Sequence, residues 1–172
     1  MLIQEGAVAL VAGLKMIVVM YLRVALGHSP YRLAGQQLDL WSYTDLADPR
    51  WTIGAKYIQL KQVTNPKGRF KEQMSGIYNP SGWGAYFRGG NLFVKRSTVQ
   101  REAEYPDFGC NFEINTEPGF LELETLGPLQ TLAPGETVEH TEEWWLFRGI
   151  PAGDDDTWID NIILPIVETA TG

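Results

Sequence analysis

The sequence predicts an all-β domain: an antiparallel β-sandwich with one short C-terminal helix. Three observations carry that expectation. Runs rich in Val, Ile, Tyr, Phe and Trp recur at short intervals, separated by Gly, Pro, Asn and Asp. Gly89-Gly90-Asn91 sits between two such runs, a strong hairpin signal. Residues 120–126 alternate so that Leu121, Leu123 and Thr125 face one way and Phe120, Glu122, Glu124 and Leu126 the other.

Taken in order, residues 7–26 (AVALVAGLKMIVVMYLRVAL) are the first apolar stretch. Their length suits a membrane helix, but Lys15 and Arg23 interrupt it and Gly13 sits near its middle. A signal peptide would need a basic start, which residues 1–6 lack. Val18, Val19, Tyr21 and Val24 favour strand, so two strands flanking residues 12–15 are expected, and no membrane span. Residues 27–35 read as a loop and 37–43 as a strand leading into the polar turn 44–49. Residues 51–62 read as a strand, 65–68 as a turn and 76–83 as a loop. Strands 85–88 and 92–95 flank the Gly-Gly hairpin. Strands 110–115 and 119–126 follow, then a long alternating strand over 136–147. Residues 157–167 read as a helix capped by Asp156 or Thr157.

At 172 residues the chain fits one domain with a core of its own. Its division is an apolar start over 1–27, a core over 28–150 and a tail over 151–172. The net charge of -7 leaves no basic surplus to neutralise phosphates, which argues against a nucleic-acid partner. Cys110 is the lone cysteine, so no intrachain disulfide forms. A reducing, cytoplasmic location fits that usage. Neither His28 nor His140 has a partner at metal-ligand spacing, so no metal or cofactor is expected.

Three segments carry polar groups suited to chemistry. Glu122 and Glu124 share a strand face; two neighbouring carboxylates divide into acid and base when their surroundings differ. Residues 41–51 (WSYTDLADPRW) place Trp41, Asp45, Asp48 and Arg50 around a turn. They read either as a sugar platform or as a structural turn with an internal Asp–Arg pair. Residues 79–88, with Trp83 and then Lys95 beyond the hairpin, read as a pocket wall or as a turn with core aromatics.

Together, WSYTDLADPRWTIGAKYI, GWGAYFRGGNLFVKR and CNFEINTEPGFLELETLGPLQTLAPGETVEHTEEWWLF resemble an uncharacterised bacterial family of the galactose-mutarotase-like superfamily. The resemblance runs from about residue 28 to 147 and continues weakly to 167. It implies a supersandwich fold of which this chain would be the C-terminal half, its open edge paired by the apolar residues 7–26 or completed by a second chain, and a homo-oligomer is expected. It also implies a carbohydrate ligand. Epimerases of that superfamily use a glutamate base within a Leu-Glu-Thr stretch, which Leu123-Glu124-Thr125 matches. Glu124 is thereby the implied base, with Glu122 tuning it; the histidine acid has no counterpart. A noncatalytic interaction domain is the competing expectation.

Overall fold

The computed structural model describes residues 10–11, 16–21, 38–63, 71–117 and 119–171. Eleven strands among these form two antiparallel sheets. They are β1 (Leu10–Val11), β2 (Met16–Tyr21), β3 (Asp39–Leu40), β4 (Trp51–Ile53), β5 (Tyr57–Gln62) and β6 (Gln73–Ile77). There follow β7 (Trp83–Arg88), β8 (Asn91–Ser97), β9 (Phe112–Thr116), β10 (Phe120–Thr125) and β11 (Glu142–Arg148). The first sheet has the order β1-β10-β9-β6-β3, the second β11-β8-β7-β2-β5-β4. Besides a 3-10 turn at Asp107–Gly109, the described residues form one helix, α1, which covers residues 156–171 and contains a π-helical turn at Ile159–Ile163.

Alternation sorts side chains to faces, and two apolar layers result. Ile77, Phe112, Ile114, Leu121 and Leu123 of the first sheet meet Trp51, Ile58, Leu60 and Tyr86 of the second. The opposite face of the second sheet offers Tyr57, Trp83, Ala85, Phe87, Leu92 and Val94 to Trp158, Ile159, Ile163 and Val167 of α1. The sandwich is thus β/β/α, and the outer face of the first sheet stays free for polar side chains. Gly84 allows the two sheets to close: a Cβ there would stand 2.5 Å from the Phe112 ring.

The expected N-terminal strands fit into both sheets. β1 pairs with β10 at the first sheet's edge, and β2 lies between β7 and β5 inside the second. The Gly-Gly hairpin joins β7 to β8, with Gly89 and Gly90 at φ 53° and 78°, the left-handed pair that such turns need.

Several boundaries differ from expectation. Residues 51–62 form two strands, because the chain turns where the Gly54 N–H donates to the Tyr57 carbonyl. β6 was not anticipated; Ser75 and Gly76 mask its pattern. The strand expected over 136–147 begins only at Glu142, since no strand of the described residues pairs with the residues before it. The helix is capped by Asp155, whose carboxylate accepts the Trp158 N–H, instead of by Asp156 or Thr157. The expected turn at 65–68, the loop at 27–35 and His28 lie outside the described residues.

Candidate functional site: a carboxylate face on the first sheet

Since Leu121 and Leu123 point into the core, Glu122 and Glu124 point outward from β10. The register then shows what accompanies them. Glu124 stands opposite Glu113 of β9, Glu113 opposite Gly76 of β6, and Gly76 opposite Asp39 of β3. One row across four strands therefore holds three carboxylates and a glycine. The next row holds Glu122, Asn115 and Met74. The Leu126 N–H donates to the Asn111 carbonyl and the Glu117 N–H to the Phe120 carbonyl, which makes Glu113/Glu124 a hydrogen-bonded pair. Their Cα atoms are then about 5.5 Å apart.

Burial distinguishes these acids from a solvated strand face. Glu113 is 2% exposed, Glu124 7% and Asn115 7%. Glu122 and Glu72 are half-buried. The Asn115 amide orders the second row: Nδ2 donates to Glu122 Oε2 at 3.1 Å and to Glu72 Oε1 at 3.3 Å. Its Oδ1, buried, has no hydrogen-bond partner among the described residues. Tyr43 hangs over this face with its hydroxyl 3.4 Å from Met74 Sδ. The phenol is pushed up to about 12, first by burial, then by Glu72, which also hydrogen-bonds it, and by Glu113 and Glu124. It is a neutral donor at ordinary pH.

Cys110 packs over Gly76 on the same outer face, beside Glu113. A Cβ on Gly76 would meet its Sγ at 2.5 Å, so only glycine admits the thiol there. Sγ donates to Asp39 Oδ2 at 3.2 Å. Burial, followed by Asp39, raises the thiol's pKa well above the usual range, which leaves it protonated and a poor nucleophile.

The other sequence-indicated residues are placed elsewhere. Trp41, Asp45, Asp48 and Arg50 lie in consecutive turns between β3 and β4. Trp41 accepts the Thr44 N–H through its carbonyl, and Asp45 Oδ1 accepts the Ala47 N–H. Arg50 is buried and donates to Asp48 through Nε at 3.0 Å and Nη2 at 2.9 Å, and to the Lys71 carbonyl. Asp48 also accepts the Arg50 N–H. This is the internal Asp–Arg pair, and the turn's role here is to hold Tyr43 at the edge of the carboxylate face. Trp83 is packed under α1 on the far side of the second sheet, so it cannot form a wall with Glu124.

Lys95 is fully buried between the sheets, on the core side of β10. Nζ donates to the Leu123 carbonyl at 2.9 Å and pairs with Glu142 at 2.7 Å. Thr125 Oγ1 donates to that same Glu142 carboxylate and lies 2.8 Å from His140 Nε2. One hydroxyl proton cannot serve both, so His140 Nε2 carries a proton and donates to Thr125. His140 thus ties the chain before β11 to β10.

Glu113, Asn115, Glu72, Tyr43 and Asp39 escaped the sequence reading. Glu113 and Asn115 already showed i, i+2 spacing in an expected strand. Only the hairpin register between β9 and β10 brings them beside Glu124 and Glu122. Among the described residues no group of three or more His, Cys, Asp or Glu is arranged to hold a metal ion. None of their helices is long and apolar enough to cross a membrane.

Comparison of the chain with protein-family models, with curated proteins and with solved structures returned no match.

Proposed function

We propose that the outer face of the first sheet binds a carbohydrate, with Glu124 as the base of a mutarotase- or epimerase-type ring opening. The observation that carries the reading is the Glu113–Glu124 pair, buried on one face beside the ordered Asn115 amide. Carboxylates and an amide oxygen are acceptors for hydroxyl donors, and charge-assisted bonds of this kind are the strong ones. Tyr43 supplies a donor at the rim.

The chemistry follows from the pairing. Glu124 takes the proton of an anomeric hydroxyl. The C1–O1 bond becomes a carbonyl, the C1–O5 bond breaks and its electron pair passes to O5. A protonated Glu113 opposite supplies the proton that O5 needs. Rotation about C1–C2 and reversal give the other anomer, with no net redox change. Glu113 fills the position for which the resemblance offered no histidine.

The test is calorimetric titration with a panel of hexoses, hexuronates and hexosamines, together with polarimetry of freshly dissolved anomers. The expected outcome is saturable binding of one class. Glu124→Gln should weaken it about tenfold or more and abolish accelerated anomerisation, with the fold kept by circular dichroism. Absence of binding across the panel would overturn the reading. A second reading, a noncatalytic interaction domain that forms homo-oligomers, is favoured by the exposed apolar residues of β11.

A further inference from the structure

β11 ends the second sheet: among the described residues no strand lies beyond it. Its seven residues, EEWWLFR, contain no Pro, Lys or bulge of the kinds that blunt a sheet edge. Trp144 is 53% exposed and Leu146 65%, both on the face turned toward the first sheet. Trp144 is nonetheless held in place. Its Nε1 donates to Glu142 Oε2 at 3.0 Å, and its ring stands edge-on to Phe93 at 5.8 Å. A fixed, exposed indole on an open edge is a surface prepared for contact.

The backbone alternation says which groups that edge presents. The β7–β8 hairpin closes at Arg88/Asn91, and the Ser97 N–H donates to the Gly82 carbonyl. Odd-numbered residues of β8 therefore turn their N–H and C=O toward β7, and even-numbered ones toward β11. Through the register Leu92↔Phe147, Val94↔Trp145 and Arg96↔Glu143, the odd-numbered residues of β11 face β8. The N–H and C=O of Glu142, Trp144, Leu146 and Arg148 point off the sheet.

We propose that β11 is the seam of a two-fold homodimer, in which it pairs antiparallel with β11 of a second copy about Trp145. A two-fold axis there sets Trp144 opposite Leu146 and Glu142 opposite Arg148, each as a hydrogen-bonded pair. Every outward backbone group then finds a partner, and the exposed indole covers the exposed leucine. Charge agrees with this orientation. The strand is acidic at its start, Glu142 and Glu143, and basic at its end, Arg148. The second copy's Arg148 then stands opposite Glu142 on the same face, beside a carboxylate already paired with Lys95, while Glu143 lies on the other face. A parallel pairing would bring like ends together. The two six-stranded sheets would become one continuous sheet, an isologous contact that closes on itself. This inference is independent of the carbohydrate reading.

Three variants and the wild type test it on the full chain. Sedimentation over a wide concentration range should give the mass of two chains. Leu146→Lys, at an exposed site, should give one chain with an unchanged circular dichroism spectrum. Trp145→Cys should cross-link under mild oxidation, because the two Cα atoms at the axis stand within disulfide reach, whereas Glu143→Cys should not. Cys110 is buried and gives no background. A wild-type chain that stays monomeric at every concentration overturns the proposal. So does a dimer that survives Leu146→Lys.

Discussion

Arg50 and Asp48 show how a single pair can look functional and serve the fold. Both are largely buried, and Arg50 also holds the Lys71 carbonyl just before β6. Burial raises the Asp48 carboxyl, but the Arg50 guanidinium and the Arg50 N–H outweigh it, so its pKa lies below the ordinary 3.8. A depressed carboxyl contributes stability that is present above its unfolded value and lost as pH falls through the lowered folded value. Asp48→Asn should therefore be less stable than wild type at neutral pH and lose less on acidification below about pH 4, as followed by urea unfolding at several pH values. Asp48→Ala, which leaves the buried guanidinium without its carboxylate, should cost about 3 kcal/mol at pH 7. Glu113 is the contrasting residue. It stands on the outer face beside Glu124, and Glu113→Gln should change ligand binding in calorimetric titration. Sequence could not rank these two. Asp48-Pro49-Arg50 advertises itself by composition, whereas Glu113 is ordinary until β9 and β10 are set in register.

Among elements, β10 was the most legible, because its alternation reflects two environments: Leu121 and Leu123 in the core, Glu122 and Glu124 on the outer face. The β7–β8 hairpin was legible for a local reason, two glycines at positive φ. β6 was hidden because its middle residues are chosen for neighbours, not for strand propensity: Gly76 makes room for Cys110, and Ser75 donates to the Asp39 carbonyl. β11 was over-extended because residues 136–141 alternate in sequence yet join no strand of the described residues. Two substitutions probe how the layers close. Gly84→Ala drives a methyl into the Phe112 ring and should destabilise by about 1–3 kcal/mol in denaturant unfolding. Trp158, edge-on to Phe87 at 5.1 Å and bonded through Nε1 to the Pro151 carbonyl, anchors α1. Trp158→Ala should cost about 3–5 kcal/mol and speed amide exchange along the helix, measured by hydrogen exchange.

At the scale of the whole molecule, the order of layers decides where function can reside. The helix covers one face of the second sheet and the first sheet covers the other, so Trp83 and Lys95, attractive in sequence, are committed to packing and to a buried ion pair. The proposed ligand face is the outer face of the first sheet, and the proposed partner contact is the edge at β11. The sequence indicated Glu122 and Glu124 but not their neighbours in the row, since a row across four strands is a non-local fact. The central claim is that this face, ordered around Asn115, takes up a carbohydrate. The most direct test is heteronuclear NMR of the Asn115 side-chain amide during sugar titration. Its signals should shift with saturation, together with the backbone amides of Glu113 and Glu124, and stay still in Glu124→Gln. Signals that remain unmoved at saturating sugar, or shifts confined to other surfaces, would contradict it.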